Sequence, residues 1–158
     1  MIYLRRVTNC ILINENKVLL LKKPRHGWYA MPGGKMELGE SIKESVMREY
    51  REETGLHLIS PELKGAFTIT THDEKKQVDE EWMMFTFVCR NFSGEMVDYC
   101  DEGELEWVPI NEVSNKPMAE GDRHIHSQLF KYNELVYGVF TYTPDDRLID
   151  FRLDPLIS

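Results

Sequence analysis

Residues 34–56, GKMELGESIKESVMREYREETGL, restrict the fold more than any other part of the chain. Ser41 and Glu44 make an S-x-x-E capping box, in which each side chain satisfies a backbone N–H that the start of a helix leaves open. Gly55 follows as a stop signal, because glycine enters the left-handed conformation that ends helices. A helix is therefore expected over residues 41–54. Ile42, Val46 and Tyr50 recur at i, i+4 and i+8 on one side of it. Such a stripe must be buried against another layer, and it turns the opposite, acidic face outward.

The rest of the chain offers that layer. Residues 5–14 and 17–22 read as strands joined by a tight turn at Glu15 and Asn16. Residues 23–34, rich in Pro and Gly, read as a loop. Residues 63–71, 81–90 and 105–108 read as further strands, with a charged loop over 73–79, and residues 120–132 as a second helix. Residues 137–142 and 148–153 flank Thr143-Pro144-Asp145-Asp146, a turn signal that closes a hairpin. The order predicts an α/β fold with a mixed sheet and helices packed on it, as one domain over residues 1–158.

Composition excludes several classes. No apolar run is long enough to cross a bilayer, and residues 1–8 carry no secretory signal. The three cysteines, Cys10, Cys89 and Cys100, are odd in number and widely spaced, which speaks against disulfides and a zinc site and for a reducing cytoplasm. Cys10 and Cys89 lie in apolar runs and read as core residues. A net charge of −8 leaves no basic face for duplex nucleic acid. It leaves phosphate substrates open, because carboxylates hold divalent cations and those hold phosphates.

The helix carries Glu44, Glu49, Glu52 and Glu53, the last three at i, i+3 and i+4 on one face. Like charges so placed repel, and near a helix C-terminus the macrodipole disfavours them too. Helix stability does not account for the cluster; a divalent cation does. Arg48 lies four residues after Glu44 and four before Glu52, so it can fork between carboxylates and hold them. Read alone, EYREE is an ordinary solvated face. The surrounding spacing decides otherwise. Gly34, Glu40, Arg48, Glu49, Tyr50, Glu52, Glu53, Gly55 and Leu56 occupy every fixed position of the pattern G-x5-E-x7-R-E-U-x-E-E-x-G-U, U being a bulky apolar residue. The stretch resembles the Nudix box, with tyrosine at position 50 where an aliphatic residue is more usual.

That resemblance implies the Nudix fold, an α/β/α sandwich around a mixed β-sheet. It implies hydrolysis of an X-linked diphosphate with Mg2+, or Mn2+, held by Glu49, Glu52, Glu53 and a backbone carbonyl near Gly34. Glu53 is implied as general base, with Glu52 and Arg48 in the catalytic set and Glu40 structural. Beyond the box the chain is similar to 8-oxo-dGTP diphosphatases of the MutT type. Glu102, ahead of Trp107, falls where that group has a further metal ligand. Lys23, Trp28, Tyr29, Gly33, Gly34 and Asp122 are the implied substrate contacts, and Met118 and Asp122 fall where that group has a base-facing segment ahead of its second helix. Two departures stand out. Mammalian members place a base-reading amide where this chain has Tyr29, and an acidic residue where it has Gly121. His124 and His126 lack a third ligand nearby and read as helix-packing residues, while His26 could reach phosphate. The expected partner is a small nucleotide, with no duplex and no membrane, acted on by a monomer or homodimer. Rival readings are the same chemistry on a nucleotide sugar, a dinucleoside polyphosphate or an RNA 5′ end, and a non-catalytic nucleotide sensor.

Overall fold

Strand β1 (Arg5–Asn14) carries the alternation that divides the molecule into two cores. Cys10 and Leu12 point one way, into a cluster with Leu19, Phe87 and Cys89. Ile11 and Ile13 point the other way, into a cluster with Val18, Met84 and Phe140. Successive side chains of a strand face opposite sides, so a strand apolar at every position must be covered on both. Helix α1 (Ile42–Thr54) covers the first cluster through Val46 and Tyr50, and helix α2 (Glu120–Lys131) the second through Ile125 and Leu129. The layers are those of an α/β/α sandwich. The computed structural model describes residues 4–75 and 77–157. Residues 1–3 of the segment read as free of a signal, and Lys76 of the charged loop, lie outside the described residues.

The turn from β1 to β2 (Lys17–Lys22) places Glu15 and Asn16 at positive φ, the geometry of a tight hairpin. Only Ile13 with Val18 and Asn14 with Lys17 then pair across it. Beyond those pairs the two strands part. β2 takes β3 (Tyr29–Ala30) and β9 (Glu104–Pro109) as antiparallel neighbours. β1 takes β4 (Gly33–Lys35), antiparallel, and β7 (Val78–Cys89), parallel. The sheet continues from β7 through β6 (Glu62–His72) and, in parallel, β10 (Val136–Tyr142) to β11 (Leu148–Asp154). It is mixed, as the element order predicts. Strands β5 (His57–Ile59) and β8 (Asn91–Ser93) form a separate ribbon.

Helix α1 begins and ends where its sequence signals place it. Ser41 Oγ accepts from Glu44 N–H at 3.1 Å, and Glu44 Oε1 accepts from Ser41 N–H at 2.8 Å. Gly55 caps the C-terminus at φ 81°. The short elements β3, β4, β5 and β8, and a 3₁₀ turn over Ile110–Asn115, have no counterpart in the sequence reading. Strands of two or three residues show no periodicity. The glycine-rich β4 is a strand because Val7, Thr8 and Asn9 pair with it, not because of its own side chains. β6 ends at His72, one residue beyond its expected end, and β7 starts at Val78, inside the expected charged loop.

Candidate active site

Helix α1 sets its carboxylates against β4. A Cβ on Gly34 would fall 2.3 Å from Glu49 Oε2, so only glycine lets that carboxylate lie against the backbone. Glu53 Oε1 accepts from Gly33 N–H at 3.3 Å, while its Oε2 is buried with no hydrogen-bond partner. Burial pushes the Glu53 carboxyl up to about 7, and the negative charges of Glu102 and Glu49 add to the rise. The Gly33 N–H and the Lys23 ammonium oppose it. A buried, unpartnered carboxylate oxygen beside further carboxylates fits a hard divalent cation, which takes oxygen ligands. Glu52 is exposed and Glu102 lies on the turn before β9. Among the described residues no three acidic side chains already converge as a metal site.

Arg48 holds this face together. Its Nε and Nη2 donate to the two oxygens of Glu40 at 2.6 and 2.9 Å, a forked pair. Its Nη1 donates to Glu49 Oε1 at 2.9 Å and to Glu52 Oε2 at 3.1 Å. Glu44, expected as one arm of the fork, is instead engaged in the capping box, and Glu40 takes its place. The Arg48 guanidinium, helped by the Glu37 N–H, holds the Glu40 carboxyl down at about 2. Glu40 thus fastens the loop before α1 to the helix.

A cavity of about 400 Å³ opens on the α2 side of β1 and reaches Gly33 and Gly34. Trp28, Met31, Trp82 and Met84 give it apolar walls; Asn9, Lys23 and Asp122 give it polar points. Its rim carries Arg5, paired with Glu80 and set 5.7 Å over the Trp82 ring. Burial raises the Asp122 carboxyl to about 6, against the pull of Lys23. Tyr142 stands beside it and accepts from Gly121 N–H at 2.8 Å, closing the open start of α2. A Cβ at position 121 would fall 2.3 Å from that hydroxyl, which leaves no room for a second acidic residue there.

The NUDIX domain family model matches residues 3–129. This chain belongs to the Nudix family. It is a Nudix hydrolase acting on a nucleoside diphosphate derivative, and enzymes of the family generally use divalent metal ions. It is 54% identical over 155 residues to the Nudix hydrolase YvcI of Bacillus subtilis, covering 98% of each chain. It is 33% identical over 106 residues to an ADP-ribose pyrophosphatase of Methanocaldococcus jannaschii, covering 65% of this chain and 60% of that one. The crystal structure of the mutator MutT protein from Bacillus halodurans matches it with a TM-score of 0.93 and 51% identity, over 96% of this chain and 99% of that chain. Among the described residues no helix is long and apolar enough to cross a membrane.

Helix α1 carries Glu49 and Glu52 bound to Arg48 and Glu53 against Gly33, and Gly33, Gly34, Lys23, Trp28 and Asp122 all border the cavity. Tyr29 does not border it. Its hydroxyl donates to Glu106 at 3.0 Å and the Lys116 ammonium sits 5.1 Å from its ring centroid, while Trp28 and Ala30 on either side take the cavity positions. Met118 is buried in the core and Ala119 lines the cavity in its stead. His126 packs inside α2 with Nδ1 donating to the Asp122 carbonyl at 2.9 Å, and His124 stacks on Phe151. His26 lies against Trp28, outside the cavity lining. Asn9, Trp82 and Tyr142 were missed. Strand alternation gives the side each faces, but not that this side borders a cavity.

Proposed function

We propose that this Nudix hydrolase cleaves an oxidised purine nucleoside triphosphate of the 8-oxo-dGTP type, releasing a nucleoside monophosphate and pyrophosphate. One observation carries the reading: Glu53, with its unpartnered buried oxygen and raised pKa, stands directly behind the Gly33 end of a cavity walled by two indoles and carrying Asp122. The volume of about 400 Å³ falls in the range of small-molecule sites, roughly 300–1,000 Å³. The base lies between Trp28 and Trp82 with an edge toward Asp122, and Lys23 receives the phosphates. Glu49, Glu52, Glu53 and Glu102, with the backbone at Gly34, would hold Mg2+ or Mn2+. A divalent ion there would supply charge neutralisation at the phosphate oxygens and acidify water. Glu53 takes the proton as water attacks phosphorus and the bridging P–O bond breaks. Arg48 orients Glu49 and Glu52 and stays off the reacting atoms.

A second reading has its own support. A hollow of about 850 Å³ on the other side of Lys23, lined by Lys22, Tyr99, Asp101 and Leu105, could take the second half of a substrate such as ADP-ribose. One relative is named an ADP-ribose pyrophosphatase. A screen with Mg2+ over 8-oxo-dGTP, dGTP, ADP-ribose, a nucleotide sugar and a dinucleoside polyphosphate separates the two. Pyrophosphate release with preference for 8-oxo-dGTP is the expected result. Preference for ADP-ribose, with AMP as product, replaces the first reading by the second. Turnover of none would leave a nucleotide sensor.

A further inference from the structure

Asn9 is a polar residue between Val7 and Ile11 on the cavity-facing side of β1. It lines the cavity, is 6% exposed, and its Oδ1 has no hydrogen-bond partner. Thr86 pairs with it in parallel register on β7, is fully buried, and its Oγ1 also lacks a partner. Residues so paired face the same side of a sheet, so two unsatisfied oxygens lie on neighbouring strands on that side of β1 and β7. Buried polar groups are almost always hydrogen-bonded, because leaving one unpaired costs stability. Leucine and valine would serve the fold better at both places. The residue that carries the unpaired oxygen lines the cavity.

We propose that the Asn9 side-chain amide, backed by Thr86, reads an edge of the nucleobase and sets which purine this enzyme accepts. The proposal rests on the reading above that a base occupies this cavity. An amide shows one acceptor and one donor side by side, and a half-turn about χ2 exchanges which of them faces the cavity. Its complement is an edge with a donor beside an acceptor. Adenine has that at N6–H and N7. Guanine shows two acceptors there, O6 and N7, which leaves the amide oxygen unpaired. Oxidation of guanine at C8 puts a hydrogen on N7 and turns the edge into donor and acceptor. Asn9 therefore matches 8-oxoguanine and adenine and disfavours guanine, and Asp122 remains for another edge, where those two bases differ.

Calorimetric titration of the full chain with 8-oxo-dGMP, dGMP and dAMP, in wild type and Asn9→Leu, tests the assignment alongside the melting temperature of each. Wild type is expected to bind 8-oxo-dGMP about tenfold or more tightly than dGMP, as one good base contact provides. Asn9→Leu brings the two within about threefold and melts no lower than wild type, since an unpaired group has been removed. If leucine unfolds the chain, Asn9→Thr, smaller and at home in a strand, takes its place. An unchanged ratio in the folded variant overturns the role of Asn9 and leaves the substrate reading standing. A wild type that prefers dAMP, with the preference lost in the variant, keeps Asn9 as reader and overturns the oxidised-guanine reading. Equal affinity of wild type for all three, or binding of none, overturns both.

Discussion

Glu53 owes its chemistry to what surrounds it. Burial disfavours its charge, with Glu102 and Glu49 adding to the effect, and one of its oxygens has no donor, so it holds a proton in a range where an ordinary glutamate is ionised. Glu53→Gln keeps the shape and removes the base. Turnover is expected to fall on the order of 10²-fold or more, with the melting temperature unchanged or raised; a folded variant with near-wild-type kcat would assign the proton transfer elsewhere. Tyr50 poses the opposite case. Its ring fills the core under α1 at full burial, but its hydroxyl has no partner. An unsatisfied buried hydroxyl costs about 1–3 kcal/mol. Tyr50→Phe is therefore expected to raise stability by about 1 kcal/mol, read by denaturant titration, without altering kcat. A loss of stability would mean that the hydroxyl finds a donor in solution.

Among the elements, α2 carries a built-in acid sensitivity. His126 is buried in it, and burial lowers its pKa from the ordinary 6.5 to about 4, against the help of the Asp122 carbonyl. The unfolded chain binds that proton first as pH falls, so stability from this residue is intact above about 6.5 and is lost progressively toward 4. The melting temperature of wild type relative to His126→Phe is expected to drop over that window; a constant difference would show that the histidine stays solvated. The two helices also show what a sequence reveals. α1 was legible because its cap, stripe, stop and carboxylate spacing are all local, and with it came Arg48, Glu49, Glu52, Glu53 and Gly34. β3, β4, β5 and β8 were not, because pairing with distant strands makes them. Tyr29 was misassigned for the same reason: only the pairing of β3 with β2 fixes which of Trp28, Tyr29 and Ala30 face the cavity. The cavity itself draws residues from β1, β3, β4, β6, β7 and β10, from loops between strands and from the start of α2, and no local pattern announces that.

At the scale of the molecule, a net charge of −8 combines general repulsion with one concentrated acidic site. A cation that binds the native state at about 100 times its Kd stabilises it by about 2.7 kcal/mol, which for a chain of this length is roughly 5–10 °C in Tm. Mg2+ is expected to produce a shift of that size in wild type and little in Glu49→Gln. An equal shift in both would trace the effect to screening of the overall charge. The two sides of β1 have separate histories open to them. On the α1 side Thr8 shares a hydrogen bond with Ser45 at 2.8 Å and supports the helix that carries the carboxylates; on the α2 side Val7 and Asn9 line the cavity. Gly33, Gly34 and Lys23 are the few residues common to both. Mutations accumulating on the cavity side can change the diet of the enzyme while its blade stays untouched, so a duplicated copy of this gene could acquire a new substrate without first losing its trade.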